Sequence, residues 1–135
     1  MSELASTLTI LRVGDGAIVA GRTLSTLPSG SLVESLGGAI TIDAAASRLY
    51  VSNRGHDSVA TFDIGDGGDA SLLCHTPTAG TSPRFLLLLE NNRILLIAHE
   101  KTGGVTVLAL DNDGIPHPTS LCAEVPGAAF LGAIA

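Results

Sequence analysis

The sequence predicts an all-β fold: a partial β-propeller of about two and a half blades, each a four-stranded antiparallel sheet. Three observations carry this. Short runs rich in Val, Ile, Leu and Thr alternate with Gly-, Asp- and Asn-rich turns. No long segment keeps the 3.6-residue apolar period of a helix. One module of about 45 residues recurs along the chain, the length of a propeller blade.

The runs STLTILRV (6–13), AITI (39–42), RLYVSN (48–53), SVATFDI (58–64), RILLIAH (93–99) and GVTVLAL (104–110) read as strands. GDG (14–16), GDGG (65–68) and DNDG (111–114) punctuate them. The one helix candidate, SLVESLGGA (31–39), is cut by Gly37 and Gly38 and reads as a loop. In the central module, strand A is expected near 38–43, B near 48–53, C near 58–64 and D near 70–76. Laying this module on the next puts Arg48 on Arg93, Tyr50 on Leu95 and Arg54 on His99. One extra residue then puts Val59 on Val105, Phe62 on Leu108 and Ile64 on Leu110. The N-terminus fits the same frame, with Glu3 on Arg54, Ser6 on Asp57 and Leu8 on Val59. The expected divisions of this single partial domain are 1–30, the end of one blade; 31–78 and 79–123, two complete blades; and 124–135, the start of a further strand in GAAFLGAIA. Two and a half blades do not close a ring, so the chain is expected either to be a fragment of a longer propeller, weakly active or inactive by itself, or to complete itself by self-association through open blade edges.

Composition narrows the function. The chain is 45% hydrophobic and 15% charged, which argues for a packed domain over disorder. Its net charge of −6 argues against nucleic acid or an anionic membrane surface as partner. The longest apolar run, FLLLL (85–89), is far short of a membrane span. MSELASTLTIL lacks the basic and apolar regions of a signal peptide, so a cytoplasmic location is expected. Cys74 and Cys122 match no metal or CxxC spacing and read as reduced strand residues. GDGGD and DNDG lack the alternate acids and closing Glu of a calcium loop, so no metal and no cofactor is expected.

YVSNRGHDSVATFDI, followed by HTPTAGTSPRF, resembles the C-terminal part of the bacterial seven-bladed lactonase family. The best-known activity of that family is 6-phosphogluconolactonase, with fungal carboxymuconate-cyclising enzymes as relatives. ELASTLTIL resembles its NEL-S-S-T-V-T-V segment, and TLSTLPSG the linker after it. The resemblance covers nearly the whole chain. It implies a lactone (carboxylic-ester) hydrolase of carbohydrate metabolism, acting in the pentose phosphate pathway. By the same resemblance Glu3, Arg54 and Arg84 match the Glu of the NEL motif and the Arg residues of the SNRGHDS and TPR segments. The family often reads GAEIHIS where this chain reads GGAITID, so Ala39 and Thr41 stand in place of an acid and a His.

Opening a lactone needs a water activated by a base, and a donor or cation where the oxyanion develops. An anionic lactone also needs Arg or Lys for its charge. Glu3 and Arg54, with His56 as a second base candidate, are the expected catalytic residues. Arg84 and His99 are the expected substrate-binding residues, and the small-molecule partner is an anionic lactone. The frame places Glu3, Arg54 and His99 after strand B of successive blades, on the face shared with the D–A junction of Arg84. Each residue has a plainer reading: Arg54 as a loop arginine paired with Asp57 or a backbone carbonyl, Arg84 as a brace between blades, His56 as a solvated hairpin His. Two other functions remain open. One is a non-catalytic propeller segment serving interaction or assembly, which the Ala39 and Thr41 replacements favour. The other is a cyclase of muconate-type acids, running the lactone chemistry in reverse.

Overall fold

The computed structural model describes residues 1–102 and 104–134, and the chain is all-β, built from three antiparallel sheets. The first sheet is a hairpin of β1 (Thr7–Gly14) and β2 (Ala17–Ser25). The second runs in order β3 (Leu36–Ile42), β4 (Arg48–Arg54), β5 (Ser58–Ile64) and β6 (Ala70–Pro77). The third repeats this as β7 (Pro83–Leu89), β8 (Ile94–His99), β9 (Gly104–Leu110) and β10 (Pro116–Glu124). A short 3₁₀ turn, Glu90–Asn92, sits between β7 and β8. This is the architecture of two propeller blades preceded by the two outer strands of a third.

Strand periodicity explains the layering. Side chains alternate between the two faces of a strand, and the central blade has a neighbour on both faces. Leu49 and Val51 of β4, with Ala60 and Phe62 of β5, face β1 and pack with Leu8 and Ala70. Tyr50 and Val59 point the other way and pack with Leu86, Leu95, Ile97 and Leu108 of the next blade. Full burial of such side chains stabilises by about 1.5–3 kcal/mol each. The blades meet through their inner strands, with β3 against β7. This approach requires glycine at position 38: a Cβ there would sit 2.3 Å from the Pro83 carbonyl oxygen and 2.5 Å from Ser52 Oγ. Tyr50 adds a polar tie between blades, its hydroxyl donating to the Gly114 carbonyl at 2.8 Å.

Three expectations are corrected by the structure. Strand A of the central blade begins at Leu36, because Leu36 and Gly37 already pair with Arg54 and Asn53 of β4. The extra residue placed between the two modules is absent from strand B and the hairpin after it. Ser52 pairs with Val59 and Ala98 with Val105, so Asn53 corresponds to His99 and Arg54 to Glu100. Matching arginine to arginine at the strand start caused the slip. The alternation of buried Leu49 and Val51 against Leu95 and Ile97 sets the true register. Finally, residues 125–134 form no strand, and Ala135 lies outside the described residues. The tail instead folds back, with the Phe130 ring tilted against Phe85 at 4.4 Å between ring centroids.

Candidate functional site

The repeat brings one charged residue per blade to a common mouth. Glu3 precedes β1, Arg54 ends β4 and Glu100 follows β8. Arg54 is the hub, with a side chain only 10% exposed. Its Nε and Nη2 donate to the Gly37 carbonyl at 3.3 and 3.0 Å. Nη2 also donates to Glu3 Oε1. Nη1 lies 3.8 Å from Glu100 Oε2. Arg84, the second residue of β7, reaches the same Glu3 oxygen with Nη1 at 3.6 Å. Ser82 donates its hydroxyl to Glu100 Oε2 at 3.3 Å. Beside this cluster lies a cleft of about 560 Å³, lined among others by Leu4, Glu34, Arg54, Gly55, Glu100 and Lys101.

The hairpin after β4 holds this geometry. Asp57 adopts a left-handed φ of 55°, strained for a residue with a side chain. Its Oδ1 accepts the N–H groups of Gly55 at 3.1 Å and Ser82 at 2.8 Å. Its carbonyl accepts the Thr78 N–H at 3.0 Å and the Thr78 hydroxyl at 2.9 Å. Asp57 thus ties the Arg54 hairpin to the junction that leads into Arg84. The N-terminal half-blade repeats the device. Ser6 has φ 47°, and its carbonyl accepts the Thr26 N–H at 2.9 Å and hydroxyl at 2.8 Å. Gly55, at φ 101°, allows the turn to pass 2.2 Å, measured from its would-be Cβ, from the Glu34 carbonyl oxygen.

Of the residues expected from sequence, Glu3, Arg54 and Arg84 come together. His56 points elsewhere: Nδ1 bonds Ser58 Oγ at 2.7 Å, and the ring meets His75 edge-on at 5.8 Å. His99 is buried, its ring lying against Gly80. The Thr106 hydroxyl donates to the Thr78 carbonyl at 2.7 Å and so accepts from His99 Nε2–H at 2.9 Å. Nδ1 then has no partner among the described residues. Burial pushes the His99 pKa below the ordinary value of 6.5. His99 is therefore a core residue, like Asn53 in the preceding blade, and Glu100 takes the exposed place. Glu34, Ser82, Glu100 and Lys101 are polar cleft residues that the sequence reading missed. The signal for Glu100 was present in the alternation of buried strand positions.

Among the described residues no three metal-ligating side chains converge, and no helix is long and apolar enough to cross a membrane. The model of the family described as lactonase, 7-bladed beta-propeller, matches residues 1–131. An uncharacterised protein of Staphylococcus epidermidis is 31% identical over 120 residues, covering 88% of this chain and 35% of the relative. The periplasmic gluconolactonase of Pseudomonas aeruginosa superposes with a TM-score of 0.91 at 26% identity, over 98% of this chain and 38% of that one. A putative 6-phosphogluconolactonase of Bacteroides fragilis shares the fold, with a TM-score of 0.82 at 22% identity, over 94% of this chain and 35% of that one. The chain thus spans about a third of the length of the relatives it matches.

Proposed function

The chain belongs to the seven-bladed β-propeller lactonase family, and on that premise we propose that it contributes part of a site that hydrolyses a sugar lactone. One observation carries this reading: two arginines from successive blades converge on one carboxylate, Glu3, at the edge of an open cleft. Arg84, with a side chain 41% exposed, is the more accessible of the two arginines and faces the lactone carbonyl as negative charge develops on its oxygen. Glu3 orients the attacking water and accepts its proton. Water adds to the carbonyl carbon, the ring C–O bond breaks, and the leaving alkoxide takes up a proton. Arg54 holds Glu3 in place. Two substrates of this class differ by one phosphate: gluconolactone, and the 6-phosphogluconolactone that the resemblance implies for a pentose phosphate pathway step in the cytoplasm. Hydrolysis of a sugar lactone by the chain, above the spontaneous rate, is the expected result. The spontaneous rate alone contradicts the reading.

A second reading is an assembly module. Leu11, Val13, Ile40 and Ile42 lie exposed on faces that a propeller buries between blades. On this reading the chain associates through those faces, with or without chemistry.

A further inference from the structure

We infer that this cleft selects an unphosphorylated lactone, and that Glu100 is the residue that sets this preference. The inference rests on the lactonase reading and refines its substrate. A phosphate monoester carries a charge of about −1.5 to −2 at neutral pH. A site for it needs cations whose charge is not already matched. Here the matching is close to complete. The Arg54 guanidinium contacts two carboxylates, Glu3 and Glu100, and spends two of its nitrogens on the Gly37 carbonyl. Arg84 contacts Glu3. The remaining charges at the cleft, Lys101 and Glu34, are of opposite sign.

Glu100 is decisive because it occupies the position equivalent to Arg54 in the next blade. A neutral residue there would leave the Arg54 Nη1 edge unmatched and facing the cleft. With Glu100 present, a phosphate entering beside Arg54 meets a carboxylate within a few ångströms of its binding partner. A second like charge at that range is unfavourable even at surface-like screening. An uncharged lactone suffers no such penalty. Its hydroxyls find acceptors in Glu34 and Glu100 and a donor in Lys101. Glu100 is half exposed, so its substitution does not remove core packing.

The test uses the full chain and its Glu100→Gln variant. Each is titrated with inorganic phosphate and followed by backbone amide shifts, and each is assayed on gluconolactone and on 6-phosphogluconolactone. The expected result is weak phosphate binding by the wild type, tightened about tenfold in Glu100→Gln, the effect of removing one nearby like charge. The wild type should favour gluconolactone in kcat/KM, and the variant should lose about tenfold of that preference. Equal phosphate binding by the two chains overturns the inference, as does faster hydrolysis of the phosphorylated lactone by the wild type. A chain that hydrolyses neither lactone contradicts the lactonase reading, and this refinement falls with it.

Discussion

At the residue scale, the chain separates two roles that adjoin in sequence. His99 and Glu100 are neighbours, yet one is core and the other faces the cleft. The alternation of a strand end does this, and it is why a one-residue slip in the frame assigned the wrong member to the mouth. Glu3 and Arg54 were legible because their surroundings match a motif. Glu100 was not, because HEKTGG carries no such motif and the reading leaned on chemical likeness at Arg48 and Arg93. The buried histidine has a measurable consequence. Its folded pKa lies below the unfolded value, with burial as the cause. The unfolded chain therefore binds the proton more readily, and stability rises with pH across this range. Stability should be fully present above pH 6.5 and decline as pH falls below it, with His75 acting in the same direction. Thermal melts between pH 5 and 8 measure this. His99→Asn, which copies the residue at the equivalent place, should flatten the curve, and an unchanged slope would show that the histidine is not its source.

At the scale of elements, the B–C hairpin of the central blade does more than connect strands. Asp57 collects two N–H donors on one carboxylate oxygen and two Thr78 donors on its carbonyl. Replacing it with Ala removes the side-chain half and leaves a strained left-handed residue. A loss of about 2–4 kcal/mol in urea unfolding is expected, since bonds to a charged acceptor are each worth about 1.5–3 kcal/mol. Asp57→Asn keeps an acceptor and tolerates the left-handed conformation, so it should cost about 1 kcal/mol. Equal losses in the two variants would locate the effect in charge instead of geometry. Sequence placed this hairpin correctly between two strands. It did not show that Asp57 reaches across to Ser82, because that contact spans the D–A junction and depends on how blades pack.

At the scale of the whole molecule, the repeat was the most legible feature. Eight of the strands fall into two complete blades with the expected order, since apolar alternation and turn chemistry agree along the chain. The two ends were less legible, because their fate depends on partner strands. Among the described residues β2 is the only strand paired with β1, and Leu11, Val13, Ile18 and Val19 remain exposed beside it. Open edges and apolar faces of this kind favour association. Light scattering should show a mass that grows with protein concentration; a monomer mass at every concentration would contradict this. The central claim concerns the mouth where Glu3, Arg54, Arg84 and Glu100 meet. Its most direct test is kcat/KM for gluconolactone hydrolysis, followed by pH-stat, for the chain and for Glu3→Gln. A saturable wild-type rate that falls about a hundredfold or more in the variant is the predicted result. Equal rates in the two proteins would contradict the account.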